Sequence, residues 1–314
     1  MHQDKFHKTL AWKTNPRTRF AAYLRRGVLI ASFAVSTASL NLLMLQTPYA
    51  APLPKIISAS LCADQYLLTF ADPNQILALS AMASNPSLSP LADQASQYES
   101  FNGSLETLTQ SQADIVVMST YTSKAKRDAI TRLGKKVVTL DGSKTWSDGR
   151  EEAIALGAAI GREDAARAWV AQTESQLKNR KDPKHIYQIA SYDRGGVASG
   201  KGHILNDLIE HVGHTNPMAQ RISGSAPISL ETLISARPDF IILPSKNIGS
   251  PKPNARRYGE DRGQEALAHT AFKGIFPEKK RIYIPQNLLF CAGPSFLTAL
   301  KIIDDDILRK TISK

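Results

Sequence analysis

The sequence predicts an α/β protein with two three-layer lobes, each built on a central, mostly parallel sheet, joined by one long connector helix. Three observations support this. The segment Ser-Leu-Glu-Thr-Leu occurs at 104–108 and again at 229–233, and each copy leads to an Asp and a β-branched run. Short apolar runs alternate with helical patterns on both sides of the middle of the chain, as in parallel sheets covered by helices. Between them, residues 146–182 are rich in good helix formers.

The alternating pattern gives an ordered set of elements. In the first lobe it predicts strands at 55–58, 76–79, 115–117 and 136–140 and helices at 61–70 and 124–133. The connector contains helical patterns at 151–160 and 163–177. In the second lobe it predicts strands at 186–190, 240–242 and 281–284, a glycine-rich turn at 195–202, and helices at 204–212, 264–271 and 294–308. The predicted bounds are therefore 54–145 for the first lobe, 146–182 for the connector and 183–314 for the second lobe.

Residues 1–50 have the composition of a secretory signal peptide. A basic segment precedes an apolar stretch at 28–45, and small residues follow at Ala50 and Ala51. The sequence predicts export with cleavage near Ala50. Because the apolar stretch is close to the length of a membrane span, an uncleaved anchor is the alternative.

The net charge excludes one class of partner. The chain of 314 residues has a formal charge of +11, but after residue 50 there are 32 basic and 27 acidic residues, a net +5. No basic cluster with interleaved aromatic residues occurs there. We therefore expect no nucleic-acid partner.

Motifs for catalysis or metal binding are weak. The stretch 195–201 satisfies G-x-x-x-x-G-K, but Gly202 stands where a phosphate-binding loop needs Ser or Thr for magnesium. His203 and His211 are more than two turns apart on a predicted helix, and His214 lies beyond Gly213. We therefore expect no convergence on one ion and interpret the three as solvated surface residues. Neither G-x-S-x-G nor H-E-x-x-H is present. We expect no enzyme, no cofactor and no bound metal, although a secreted or anchored enzyme on the same scaffold is the alternative of another class.

Candidate ligand-binding residues follow the predicted strands. Tyr121 follows the strand of the first repeat, Tyr192 and Arg194 follow the first strand of the second lobe, and Phe290 and Cys291 follow the last strand. Ligands collect at the carboxyl ends of parallel strands, so two facing lobes would bring these groups to one cleft.

The chain resembles the periplasmic binding proteins of the helical-backbone class, which serve importers of ferric siderophores, haem and cobalamin. The resemblance is carried by 56–65, the two Ser-Leu-Glu-Thr-Leu segments, the connector, 198–202 and 291–295, and it spans nearly all of 54–308. It implies two lobes joined by a rigid helix and a shallow cleft that closes little. It also implies a periplasmic monomer that delivers a metal chelate to the membrane subunits of an ABC importer.

The resemblance also assigns roles to residues. It implies that Glu106 and Glu231, one in each lobe, dock onto arginines of the importer. Cys62 and Cys291 match positions on opposite sides of the cleft, so we expect free thiols. Arg194, Arg256 and Arg257 favour an anionic iron chelate. Tyr121, Tyr192 and Phe290 suit any flat or macrocyclic ligand equally, and the position of Trp146 and Trp169 near the connector gives less support to a tryptophan-lined corrinoid pocket. Tyr192 is a further candidate, as a haem iron ligand.

Overall fold

A five-stranded parallel sheet forms the first half of the fold. The computed structural model describes residues 52–245 and 270–312, and the predicted signal segment lies outside them. The strands are β1 (Ile56–Ser58), β2 (Ile76–Ser80), β3 (Glu99–Phe101), β4 (Ile115–Ser119) and β5 (Lys136–Leu140). Their order is β3-β2-β1-β4-β5, and every neighbouring pair is parallel.

A smaller parallel sheet forms the second half. It consists of β6 (Ile189–Ser191), β9 (Phe240–Ser245) and β10 (Arg281–Pro285) in the order β10-β9-β6. Beside it, β7 (Val197–Ser199) pairs antiparallel with β8 (Ser225–Pro227). Strand β7 lies in the stretch 195–202, for which the sequence predicts a glycine-rich turn. The structure has two tight turns there, at Gly195 and Gly196 and again at Gly202, all at positive φ, and the chain between them is extended.

Helices cover the sheets. They are α1 (Leu61–Phe70), α2 (Ala92–Ala95), α3 (Leu105–Gln110), α4 (Lys124–Arg132), α5 (Trp146–Ala159), α6 (Glu163–Lys178), α7 (Ile204–His211), α8 (Leu230–Ser235), α9 (Thr270–Ile275) and α10 (Phe296–Ile312). In the ranges that the structure describes, none of them has both the length and the apolar character that a membrane span requires. The predicted helix at 264–271 lies mostly outside these ranges. Two parallel sheets with helices confirm the predicted α/β class.

The sequence repeat corresponds to a repeat of structure. In one sheet β1, β4 and β5 are adjacent, and in the other β6, β9 and β10 are adjacent in the same order. The Asp of each copy has the same role. Asp114 accepts a hydrogen bond from the backbone N–H of Lys55 (2.7 Å), and Asp239 accepts one from Gln188 (2.8 Å). Each carboxylate thus ties the start of the repeat strand to the start of its neighbour.

The connector differs from the single long helix that the sequence predicts. It consists of α5 and α6, because Gly161 takes a left-handed conformation (φ +72°) that ends the first helix. The two helices pack closely at Gly157, where a Cβ would lie 2.5 Å from the Cβ of Ala166. The connector is therefore a helical hairpin.

Aromatic side chains join the cores of the two lobes. Trp169 of α6 makes edge contacts with Tyr66 of the first lobe (5.9 Å between centroids) and with Trp146 of α5 (5.6 Å). Trp146 in turn stacks on Phe296 of the second lobe (5.7 Å). Both connector helices are thus anchored in hydrophobic packing that continues from one lobe into the other.

Candidate functional site

A cavity of about 720 Å³ lies between the two lobes, where the parallel strands end. Its walls from the first lobe are the segments after β1, β2, β4 and β5. Its walls from the second lobe are the β7–α7 turn, the start of β8 and the segment after β10. The lining residues are Ala59, Ser60, Leu61, Cys62, Met82, Ser119, Tyr121, Asp141, Gly142, Ser143, Lys144, Lys201, Gly202, His203, Ile204, Ser223, Gly224, Ser225, Leu289 and Phe290. The volume is that of a small-molecule site.

Two predicted aromatic residues line this cleft, one from each lobe. Tyr121 follows β4 and is 81% exposed, and Phe290 follows β10 and is 39% exposed. Large aromatic side chains are normally covered in a folded protein, so their exposure at one cavity provides apolar surface for a ligand. Their contact with a ligand stays a prediction.

The sequence-based predictions did not include the charged residues of the cleft. Lys144 extends from the first lobe and Lys201 from the second, and Asp141 lies beside Lys144 in the lining. Asp141 and Lys144 follow β5, so the strand-end criterion that found Tyr121 would also have found them. The two lysines give the cleft one cationic group on each side.

The loop that carries Asp141 and Lys144 is held by carboxylates of α5. Glu152 accepts hydrogen bonds from the backbone N–H groups of Gly142 (3.0 Å) and Ser143 (3.2 Å), and burial raises the pKa of its carboxyl. Asp148 accepts the backbone N–H of Lys144 (3.2 Å). The backbone at this wall of the cleft is therefore fixed by side chains behind it.

The expectation of free thiols is wrong. Cys62, at the start of α1, and Cys291, after β10, form a disulfide with their Cα atoms 5.7 Å apart. The expectation assumed that the cleft separates the two residues. Instead, the segment after β10 enters the first lobe, where the N–H of Ala292 donates to the carbonyl of Ser143 (3.0 Å). Cys291 is fully buried, so its predicted contact with a ligand is also wrong.

Tyr192 is a core residue. It is 1% exposed and stacks on Phe272 at 5.8 Å between centroids, although it follows β6 as predicted. Burial is the main cause that raises the pKa of its phenol, and the negative charge of the nearby Glu231 carboxylate adds to this effect. We therefore remove Tyr192 from the candidate site. The side chain of Arg194, and Arg256 and Arg257 entirely, lie outside the described residues.

The sequence predicts a solvated surface position for His203, but the structure places it, half-buried, in the wall of the cleft. It lines the cleft at the start of α7, and its Nδ1 accepts the backbone N–H of Leu205 at 3.1 Å. The only sequence signal was its position after a glycine-rich turn. Among the described residues, no three His, Cys, Asp or Glu side chains converge as a metal-binding group.

The two predicted docking acids occupy equivalent positions. Glu106 and Glu231 are exposed second residues of the six-residue helices α3 and α8. Each helix begins with a Ser cap: Ser104 Oγ accepts the N–H of Glu106 (3.2 Å), and Ser229 Oγ accepts the N–H of Thr232 (3.2 Å). Each also buries one Leu completely. The repeat therefore holds two carboxylates at matching places in two lobes.

Two α/β lobes around a ligand-sized cleft define the class of two-lobed solute-binding folds. The chain belongs to the periplasmic binding protein family, whose model matches residues 56–270. A search of curated proteins found no match.

Solved structures agree on the fold. The chain is similar to the periplasmic haem-binding protein HutB of Vibrio cholerae, with 15% identity, 80% of this chain and 98% of that chain covered, and a TM-score of 0.64. It is also similar to the periplasmic vitamin B12-binding protein BtuF of Vibrio cholerae (15% identity, 83% and 98% covered, TM-score 0.57). A possible iron-binding periplasmic solute-binding protein of Staphylococcus epidermidis gives 19% identity, 81% and 98% covered, and a TM-score of 0.60.

Proposed function

We propose that this protein captures an iron chelate of the siderophore type in the cleft between its lobes and delivers it to an ABC importer. Haem or cobalamin is the alternative cargo in the same class. The observation that carries the proposal is the composition of the cleft: one exposed aromatic residue and one lysine from each lobe, Tyr121 with Lys144 and Phe290 with Lys201. This combination suits a cargo with flat apolar surface and anionic groups. Family membership supports it, because the similar proteins are described as binding haem, vitamin B12 or iron.

The test is a titration of the mature protein with ferric citrate, a ferric catecholate, a ferric hydroxamate, haem and cyanocobalamin. Calorimetry is expected to give saturable binding of one of them with one site per chain and no turnover. Tyr121→Ala and Phe290→Ala should each weaken this binding, since they remove the apolar contacts. Ile186→Ala, an exposed apolar residue outside the cleft lining, is the matched control. Turnover of a probe would instead support the enzyme alternative, and no binding of any probe would contradict the proposal.

Delivery is proposed to use Glu106 and Glu231. Each of the two exposed carboxylates can form an ion pair with an arginine of the importer. These ion pairs would set the orientation of the binding protein on the importer and the rate at which the two associate. The double variant Glu106→Ala/Glu231→Ala should abolish uptake into cells and leave cargo affinity unchanged. Asp93→Ala/Asp305→Ala removes the same two charges from exposed positions on α2 and α10 and should transport normally. Normal uptake by the Glu106/Glu231 variant would refute the docking role.

Location and assembly are part of the same proposal. We expect export through the segment 1–50 and a periplasmic monomer. The N-terminal sequence of the protein recovered from the periplasmic fraction, together with its mass in solution, tests both points. A protein that keeps residues 1–50 and sediments with membranes would favour the anchored alternative.

A further inference from the structure

The hydrogen bonding of His203 fixes where its ring carries a proton. His203 is the N-cap of α7, with extended backbone (φ −116°, ψ 145°), and its Nδ1 lies 3.1 Å from the backbone nitrogen of Leu205. A backbone N–H can only donate, so Nδ1 must carry a lone pair. The proton of the neutral ring is therefore on Nε2.

The surroundings keep this ring neutral and leave Nε2 available. The side chain is half-buried in the wall of the cleft, and this burial lowers the pKa of the imidazole. Within 52–245 and 270–312, no hydrogen-bond acceptor is found for Nε2–H. Lys201, two residues earlier, lines the same cavity with an exposed side chain. The β7–α7 turn thus offers the cleft a neutral N–H donor next to an ammonium group.

Building on the proposed function, we propose that His203 is a cargo-specificity residue whose Nε2–H donates to an anionic oxygen of the cargo, such as a carboxylate or catecholate oxygen. It does not ligate the iron. For Nε2 to bind iron, the ring proton would have to move to Nδ1, where it would face the N–H of Leu205. That exchange breaks the helix cap and sets two donors against each other.

Two substitutions separate the proposed role of Nε2–H as a hydrogen-bond donor to the cargo from the role of Nδ1 as the cap of α7. His203→Ser keeps a good N-cap, because Oγ accepts the N–H of Leu205, but it cannot reach the position of Nε2. His203→Gln places an amide N–H near the position of Nε2 but is a poor cap. The affinity of each variant is measured by calorimetry, and its melting temperature by circular dichroism. The probe is whichever of ferric citrate, a ferric catecholate, a ferric hydroxamate, haem and cyanocobalamin the unmodified protein binds most tightly.

We expect His203→Ser to melt like the unmodified protein and to bind the probe about 10-fold to 100-fold more weakly, as for loss of a hydrogen bond to a charged group. His203→Gln should melt earlier and bind within about threefold of the unmodified protein, because one neutral donor replaces another. A purely structural role for His203 predicts the reverse order of affinities. Unchanged binding by His203→Ser overturns the inference. So does an absorption band of the bound chelate that shifts in that variant, since this would show His203 as a metal ligand.

The two proposals fail in different ways. If the unmodified protein binds none of the probes, the proposed function is overturned and this inference falls with it. If the unmodified protein binds a probe and Tyr121→Ala weakens that binding while His203→Ser does not, only the role of His203 is overturned.

Discussion

The disulfide between Cys62 and Cys291 is expected to contribute strongly to stability. It closes a loop of 229 residues, and restricting so long a loop in the unfolded chain is worth up to about 5 kcal/mol at 25 °C, with 2–4 kcal/mol typical. The Cα separation of 5.7 Å is within the usual range for a disulfide, so the native backbone need not move to form it. Loss of the bond should therefore act mainly on the unfolded state.

The perturbation is Cys62→Ala/Cys291→Ala, compared with the unmodified protein with and without a phosphine reductant. For a chain of this size, a loss of about 4 kcal/mol lowers the melting temperature by roughly 10 °C. The reductant should lower the melting point of the unmodified protein to that of the variant and leave the variant unchanged. Titration of the oxidised protein in denaturant should find no thiol.

Measuring cargo affinity shows whether loss of the disulfide changes only the stability of the protein or also the geometry of the cleft. The segment after β10 is also held by the hydrogen bond from Ala292 to Ser143 (3.0 Å) and by one from Asn287 Nδ2 to the carbonyl of Pro86 (3.0 Å). We therefore expect the affinity of the Cys62→Ala/Cys291→Ala variant at 25 °C to differ from that of the unmodified protein by less than about threefold. Such a difference is no larger than the net energy of one hydrogen bond. Equal melting temperatures for the oxidised and reduced protein, with reduction verified by thiol titration, would refute the reasoning.

Two further predictions concern the contact of the connector with the segment after β10 and a buried carboxyl group of the first lobe. Gly149→Ala should destabilise the protein by about 1–3 kcal/mol or more, because its Cβ would lie 1.8 Å from the carbonyl oxygen of Ala292. Gly274→Ala in α9 is the control, because among the described residues an added Cβ would meet no atom within 4 Å beyond its chain neighbours and its own helix. It should be neutral or stabilising by up to about 1 kcal/mol. Urea denaturation measures both variants, and equal effects would contradict the close approach. Burial raises the pKa of Asp64 from 3.8 to about 6, although hydrogen bonds from Ser58 and Ser80 oppose the shift. Between these two values the folded state binds more protons than the unfolded state, so the free energy of unfolding should fall as pH rises, by about 2 kcal/mol from pH 4 to pH 7. Asp64→Asn should lack this component, and a difference between variant and unmodified protein that does not vary with pH would show that Asp64 does not titrate in this window.

Part of the fold could be predicted because repetition constrains structure. Two segments with the same pattern must satisfy the same physical requirements, and Asp114 and Asp239 do so by accepting equivalent backbone N–H groups. The break between the two connector helices was harder to predict from the sequence. Gly161 appears in the sequence only as a weak helix former, whereas its positive φ depends on how α6 packs back onto α5.

The candidate site was predicted only in part, for a geometric reason. The strand-end criterion gives a position along the sheet but not the face toward which a side chain points. Tyr121 and Phe290 therefore reach the cleft, while Tyr192, at an equally favourable position, points into the core against Phe272. The pairing of Cys62 with Cys291 could not be predicted either, since a separation of 229 residues contains no information about distance in space.

The contacts between the lobes favour a cleft that keeps its shape when a ligand binds. At the connector, the N–H of Trp146 donates to Asp207 of the second lobe at 2.6 Å. At the cleft wall, the disulfide and the bond from Ala292 to Ser143 join the lobes again, and Asn287 reaches Pro86 at a third place. A hinge requires one small set of residues that absorbs the motion, whereas three separate attachments would have to break or shear together. Walls attached at three places should lose little conformational entropy when a ligand binds. Under the proposed function, we therefore expect affinity to depend on how well Tyr121, Phe290 and His203 match the surface of the ligand.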